Sequence, residues 1–274
     1  MPVIYEPSGK AREYSPLACN LYLSCTHMCR YCYAPHVLQR STATYFCKPS
    51  PRRNILKNIE SELNVNVPIK QIMISFIGDV YCDTTDDNET TTAALKLFCD
   101  YGAPVAVLTK GGKRCLKDLD LFREFGQRIW VGATLTFLDE EKSRYWESGA
   151  ATPQERLDTL KILKQNGITT FASFEPVIEP EESLAVLKKS LDMDCVDSYK
   201  IGKVDSIASI SKSTDWPYFL ERCLALIRPT GKGVYIKSNL RRAAPGIKLT
   251  SQEMDADFHG VRILPNAICF TLSN

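Results

Sequence analysis

No stretch of this 274-residue chain reaches the roughly 18 consecutive apolar residues of a membrane span, and Met1 to Lys10 lack the apolar core of a secretory signal. A soluble, cytoplasmic protein with no membrane partner is expected. A surplus of charge is also missing: 34 basic side chains stand against 32 acidic ones, a formal net charge of +2, which excludes a protein that holds nucleic acid mainly through a global basic excess. A local basic surface remains compatible with it. The third absence is a fourth thiol. The stretch SCTHMCRYCYAP sets Cys25, Cys29 and Cys32 close together, yet the other eight cysteines, Cys19, Cys47, Cys82, Cys99, Cys115, Cys195, Cys223 and Cys269, are scattered. In a reducing compartment these eleven do not read as disulfides. The scattered ones read as small buried hydrophobes, and the three together as metal ligands.

The 44% hydrophobic content is enough for a large single core. Apolar runs of strand character, at residues 69–77, 105–108, 129–135, 168–174, 196–201 and 234–236, alternate with segments of helical period. The clearest helix begins at Thr152-Pro153-Gln154-Glu155, a capping-box pattern with proline at the first turn; Leu157, Leu160 and Leu163 share one face and Gly167 ends it. Weaker helical periods surround Ile59, Leu95, residues 116–125, Leu187 and residues 219–227. Repeated βα units without an internal break predict one α/β domain built on a parallel barrel or an open part of one. Ligands in such folds gather where the strands end. Six polar residues are expected on that rim: Asp79, Lys110, Thr136, Glu175, Lys200 and Lys237. Of these, Glu175, Lys200 and Lys237 are candidates for substrate contact.

Thiols spaced by three and then two residues can wrap one soft metal centre. Structural zinc takes four ligands, so His27 or His36 would have to complete a Cys3His site. An iron-sulfur cluster held by three cysteines instead leaves one iron free for a ligand. Spacing alone leaves both open, although the missing fourth cysteine favours the cluster.

The segment Cys25-x3-Cys29-x2-Cys32, followed by Tyr33 and placed ahead of serial βα units, resembles the signature of the radical S-adenosylmethionine (SAM) superfamily. The stretches "YEPSGKAREYSPLACNLYLSCTHMCRYCYAP", "GDVYCDTTDDNETT", "VLTKGGKRCLKDLDLF" and "VGATLTFLDEEKSRYWESGAATPQERLDTLKILKQNGI" resemble its spore photoproduct lyase-like branch, from about Tyr5 to about Pro180. The resemblance implies a partial (β/α)6-type parallel TIM barrel with short N- and C-terminal extensions, its core at about residues 17–237 and a C-terminal extension over 238–274. It implies a 4Fe-4S cluster on Cys25, Cys29 and Cys32, and SAM on the open iron. Reductive cleavage would then yield a 5'-deoxyadenosyl radical that abstracts hydrogen, with flavodoxin or ferredoxin as electron donor.

Tyr31 and Tyr33 correspond to the branch's paired tyrosines near the adenosyl group; packing around the cluster is their plainer role. The superfamily's Gly-Gly-Glu landmark reads Ile77-Gly78-Asp79 here, one glycine fewer and a carboxylate one carbon shorter. Gly78, Asp79, Lys110, Thr134, Thr136 and Glu147 are the implied SAM-binding positions, while Arg156 also fits a structural pairing residue. Cys82 is the scattered cysteine placed to return a hydrogen atom. The late basic stretch "KSNLRRAAPGIK", with Lys237, Arg241, Arg242 and Lys248, lacks interleaved aromatics and reads as solvated surface. The implied substrate is a thymine-type nucleobase in DNA, for repair or modification; a peptide or small metabolite is the alternative within the enzyme class. A zinc-bearing recognition module without catalysis is the alternative outside it.

Replacing Cys25, Cys29 or Cys32 by alanine is expected to abolish iron and sulfide retention, whereas Cys47, Cys195 and Cys269 are dispensable. Anaerobically purified protein should be brown, and a colourless protein holding zinc would reverse the assignment.

Overall fold

The computed structural model describes residues 2–258 and residue 260. Eight strands, β1 (Ile4–Tyr5), β2 (Leu17–Cys19), β3 (Ile72–Ile74), β4 (Val105–Thr109), β5 (Ile129–Thr134), β6 (Thr169–Phe174), β7 (Ser198–Ile201) and β8 (Gly233–Ile236), form one sheet in sequence order. β1 runs antiparallel to β2, and every other pairing is parallel. Among the described residues β8 has β7 as its only neighbour in the sheet, so the barrel they form does not close.

The expected α/β partial barrel is therefore present, with seven parallel strands where the apolar runs predict six. The additional one, β2, is three residues long, too short to show a period of two. β3 is likewise confined to Ile72–Ile74 within the longer run expected at 69–77. Cys269 and residues 261–274 of the expected C-terminal extension lie outside the described residues.

Strand alternation separates an outer core from an inner one. Ile72, Ile74, Val105 and Val107 pack outward with helix residues Ile59, Leu95 and Phe98, while Met73, Ala106 and Phe171 face inward with Tyr14. Gly132 of β5 makes room for that interior: a Cβ there would lie 2.6 Å from the Phe171 ring. The helices supplying the outer layer include Ile55–Val65, Glu89–Asp100, Pro153–Gln165, Pro180–Asp192 and Trp216–Ile227.

Thr152 caps the Pro153–Gln165 helix as its sequence predicts, accepting the Glu155 N–H at 3.2 Å. The reciprocal half of the box is replaced. Glu155 Oε1 accepts the Lys113 N–H at 3.0 Å and so ties the helix to the loop after β4.

The open side of the barrel is crossed by the segment before β2. Ser15 Oγ donates to Gln71 O at 2.7 Å on one flank. On the other, Glu13 Oε1 accepts the Tyr235 hydroxyl and the Ser238 N–H, each at 2.7 Å. No helix among the described residues is long and apolar enough to cross a membrane.

Leu160 is 1% exposed beneath β5 and β6. Leu160→Ala should cost about 2–5 kcal/mol in urea unfolding, since the rigid sheet cannot collapse into the space.

Candidate functional site

The cysteine loop follows β2 and is clamped by two close backbone approaches. A Cβ at Gly78, whose φ is +79°, would fall 2.4 Å from Ser24 O; one at Gly149 would fall 2.1 Å from Thr26 O. Only glycine lets the β3 and β5 loops touch the thiol-bearing turn this closely. Gly149 also donates its N–H to His27 O at 3.0 Å, and His27 Nδ1 lies 3.0 Å from Gly149 O. The other ring nitrogen, Nε2, sits 3.0 Å from Asp79 Oδ2.

His27 is thus engaged on both sides, and His36 stands exposed on the short helix Ala34–Val37, so neither is poised to complete a Cys3His zinc site. No group of three or more His, Cys, Asp or Glu side chains among the described residues could hold a single metal ion. A cubane, by contrast, spreads its thiolates over separate irons.

Cys25 and Cys29 are each 7% exposed and Cys32 is half-buried. The Cys25 thiol is held protonated by its hydrogen bond with Cys82 and then by burial. Burial pushes Cys29 up to about 12 and raises Cys32 as well, while the Lys110 ammonium opposes both shifts. Three soft donors on one loop, with no fourth protein ligand beside them among the described residues, fit an iron-sulfur cluster; loading it requires the thiols to lose their protons.

Asp79 is saturated by its neighbours. Besides His27, its oxygens accept the Tyr81 N–H at 2.9 Å, the Thr109 hydroxyl at 2.7 Å and the Lys110 N–H at 2.6 Å. Burial works to raise this carboxyl, but the His27 charge and hydrogen bond, with the two backbone donors, hold it well below the usual range. It braces the cysteine loop against the end of β4. Lys110, just after β4, carries its ammonium 5.7 Å from the Tyr31 ring. Burial disfavours that charge, yet Cys29 and Glu147 keep the lysine protonated.

Glu147 is 1% exposed and Arg156 is 2% exposed; they pair at 2.5 Å. The Tyr31 hydroxyl donates a short hydrogen bond to Glu147 Oε1, which also accepts Thr136 Oγ1 at 3.4 Å. Arg156 donates further to Ala151 O at 2.9 Å and to Thr134 O at 3.0 Å. Burial would raise Glu147, but the Arg156 and Lys110 charges depress it. Tyr31 therefore binds the cysteine loop to the barrel. Tyr33 is half-exposed and donates to Phe76 O at 2.8 Å.

Cys82 is fully buried, its thiol against that of Cys25. The rim itself is more staggered than predicted. Lys110, Glu175 and Lys237 directly follow their strands, whereas Asp79 comes five residues after β3, Thr136 two residues after β5, and Lys200 lies inside β7. Thr134 closes β5 and contributes its carbonyl to Arg156.

A second polar cluster involves β6, β7 and β8. Lys237, which is 0% exposed, makes a short ion pair with Glu175 and lies 4.2 Å from the Tyr14 ring. Glu175 also accepts the Tyr14 hydroxyl at 3.0 Å. Lys200 donates to the carbonyls of Glu13, Tyr14 and Ala256 at 3.1–3.3 Å. Burial, and then the nearby Lys237 charge, bring it down to about 7. Arg241, expected on a solvated surface, instead donates to the carbonyls of Ile236 and Met254 at 3.2 and 2.9 Å.

Sequence reasoning missed Gly149, Glu13 and Tyr14, and considered His27 only as a zinc ligand. Gly149 carried a weak signal, in Glu147-Ser148-Gly149-Ala150-Ala151; the others carried none, because their partners lie more than a hundred residues away.

Residues 19–193 match the family described as the radical SAM superfamily. An uncharacterised protein of Methanocaldococcus jannaschii is 30% identical over 165 residues, which cover 58% of this chain and 59% of that protein. An uncharacterised protein of Acidianus two-tailed virus is 26% identical over 215 residues, covering 74% and 69% respectively. Among solved structures, a spore photoproduct lyase variant with bound AdoMet and dinucleoside spore photoproduct aligns with a TM-score of 0.58 at 13% identity, over 89% of this chain and 65% of that one. Streptococcus suis SuiB bound to precursor peptide SuiA aligns with a TM-score of 0.60 at 13% identity, over 89% and 54%. The chain thus spans about three fifths of the M. jannaschii relative and less than two thirds of these structures; at this identity the structures establish the fold.

Glu147→Gln leaves the Arg156 charge uncompensated in the interior and should cost about 3–5 kcal/mol in urea unfolding. Because Asp79 and Glu147 are both depressed on folding, the stability they contribute is full above the unfolded carboxylate pKa near 4 and is lost as pH falls through their lower folded values. Acid titration of the unfolding midpoint should show that loss, and should show less of it in Asp79→Asn.

Proposed function

The chain belongs to the radical SAM superfamily, and from that premise we propose an enzyme that binds a 4Fe-4S cluster on Cys25, Cys29 and Cys32 and abstracts hydrogen from a thymine-type nucleobase. The observation that carries this reading is the three-thiol loop itself, backed by a histidine engaged on both ring nitrogens and by a half-buried lysine whose ammonium lies near Tyr31. The cluster, once bound, supplies the electron that cleaves SAM to a 5'-deoxyadenosyl radical.

The protein's own part is to shape and shield that site. Lys110, protonated and near Tyr31, offers a point charge for the SAM carboxylate. Asp79, its oxygens occupied, acts through the Lys110 backbone, which it holds in place, and Gly78 and Glu147 fix the cysteine loop. The Thr134 and Thr136 positions complete the wall on the β5 side. Cys82 lies beside Cys25 in a dry pocket with Ile77, Ala34 and Tyr45, a setting suited to a thiol that donates a hydrogen atom. Tyr33, open to solvent on one side, stands at the entrance. Glu175, Lys200 and Lys237 form a polar wall on the other side of the barrel and are the candidates for substrate contact.

The nucleobase reading draws on the similar fold of the lyase that holds a dinucleoside photoproduct, and the peptide reading on the equally similar SuiB, which holds a peptide. The resemblance of the chain to the lyase-like branch from about Tyr5 to about Pro180 favours the first.

Reconstituted protein given dithionite and SAM should release 5'-deoxyadenosine, and Cys29→Ala should release none. Lys110→Ala is expected to keep its iron yet bind SAM more weakly by about 1–3 kcal/mol, read by titrating SAM against the cluster's spectrum. With thymine-containing oligonucleotides deuterated at the methyl group, deuterium should appear in 5'-deoxyadenosine. Cys82→Ala should then raise the ratio of 5'-deoxyadenosine to product; an unchanged ratio removes Cys82 from the chemistry.

A further inference from the structure

The two tyrosines that flank Cys32 turn their hydroxyls away from it: Tyr31 donates to Glu147, and Tyr33 to the Phe76 carbonyl. A third tyrosine does the opposite. Tyr45, thirteen residues beyond Cys32, makes a side-chain hydrogen bond with the Cys32 sulfur. Its side chain is 1% exposed and packs in the apolar pocket with Cys25, Ala34, Ile77 and Cys82, and Cys32 lies partly buried against them.

Local structure fixes this ring in place. Ser41 caps the short helix Thr42–Tyr45, its Oγ accepting the Thr44 N–H at 3.2 Å and its carbonyl the Tyr45 N–H at 3.0 Å. The Phe46 ring stands edge-on to Tyr45 at 5.1 Å, and Arg40 ties the entry of the helix to the cysteine loop through Leu23 O at 2.9 Å. The Tyr45 carbonyl accepts the Cys25 N–H at 3.4 Å. One residue therefore engages two of the three thiol-bearing positions, Cys25 through its backbone and Cys32 through its hydroxyl. Burial, and then the negative charge of a thiolate at Cys32 or Cys25, raise the phenol, so it keeps its proton and serves as the donor. Cys25 Sγ accepts the His27 N–H at 3.5 Å, and Cys29 has the Lys110 charge nearby. A backbone N–H is present whatever the side chain; the Tyr45 hydroxyl depends on one residue type.

We propose that Tyr45 is a positioning residue that tunes the cluster, its hydroxyl stabilising negative charge on the Cys32 sulfur and so raising the midpoint potential of the reduced state. The inference rests on the cluster assignment above. Reduction brings one electron from a reductant such as dithionite, its charge spreads onto the thiolate sulfurs, and no proton moves. A donor aimed at such a sulfur strengthens as that charge grows, so it favours the reduced form. In a dry pocket water does little to screen the gain.

Tyr45→Phe keeps the ring, its packing and the backbone carbonyl, and removes only the oxygen. Redox titration of the full-length reconstituted protein, followed by the electron paramagnetic resonance of the reduced cluster, should show a lower midpoint. A reduced-to-oxidised ratio about tenfold smaller at fixed potential is expected, a shift of about 59 mV for one electron. Iron and sulfide content should equal wild type. Tyr101→Phe removes a hydroxyl that donates to Asn64 at 2.7 Å, between the ends of the Ile55–Val65 and Glu89–Asp100 helices, and should leave the midpoint unchanged. Placing 3-fluorotyrosine at position 45 keeps the shape but makes the hydroxyl a stronger donor, and should move the midpoint upward.

A wild-type midpoint in iron-replete Tyr45→Phe overturns the proposal, as does an equal fall in Tyr101→Phe. If Tyr45→Phe loses its iron, the fluorotyrosine protein decides, and an unchanged or lowered midpoint there overturns it. A wild-type protein that retains no iron overturns the cluster assignment, and the proposal with it.

Discussion

A single buried carboxylate, that of Glu147, joins the parts on which everything else depends. It receives the Tyr31 hydroxyl from the cysteine loop, the Arg156 guanidinium from the Pro153–Gln165 helix and the Thr136 hydroxyl from the end of β5. Its backbone bridges to Cys29. A charge in so dry a place is tolerable only when fully partnered, so the loop, the helix and the strand end must be assembled together or not at all. The cost of burying the ion pair returns as rigidity where the thiols must be held.

Asp79 does the same work on the facing side. It links His27, and through His27 Nδ1 the Gly149 carbonyl, to the N–H groups after β4. The cysteine loop is thus suspended between two buried carboxylates, one presented by the loop after β3 and one by the loop after β5. Gly78 and Gly149 allow the backbones to meet. This arrangement gives the cysteine loop a defined shape, and it sets Lys110, attached to the Asp79 side, with its ammonium near the Tyr31 ring of the Glu147 side.

The second polar cluster stands apart and is built on a different principle. Lys200 and Lys237 are buried cations whose partners come mainly from the segment at Lys10 to Ser15, which bridges the gap between β2 and β8. That segment closes the open side of the barrel by offering carbonyls and a carboxylate to the two lysines.

Much of this was legible beforehand. The strand and helix order, the capped helix at Thr152 and the three-thiol loop follow from local rules: period, capping chemistry and spacing act over a few residues and leave their mark there. Lys110, Glu175 and Lys237 fell at strand ends as expected, because a strand's end is also a local event. Asp79, expected directly after a strand, follows β3 by five residues, and Glu147 and Arg156 were singled out without the bond that unites them. Their partners are settled by distance in space. Tyr31 and Glu147 are 116 residues apart, and Tyr14 and Glu175 are 161 apart. The sequence by itself determined which residue types stand at which loops; only the curling of the parallel sheet, which brings the loops after β2, β3, β4 and β5 together at one end, decided which of them share a proton, a charge or a glycine contact.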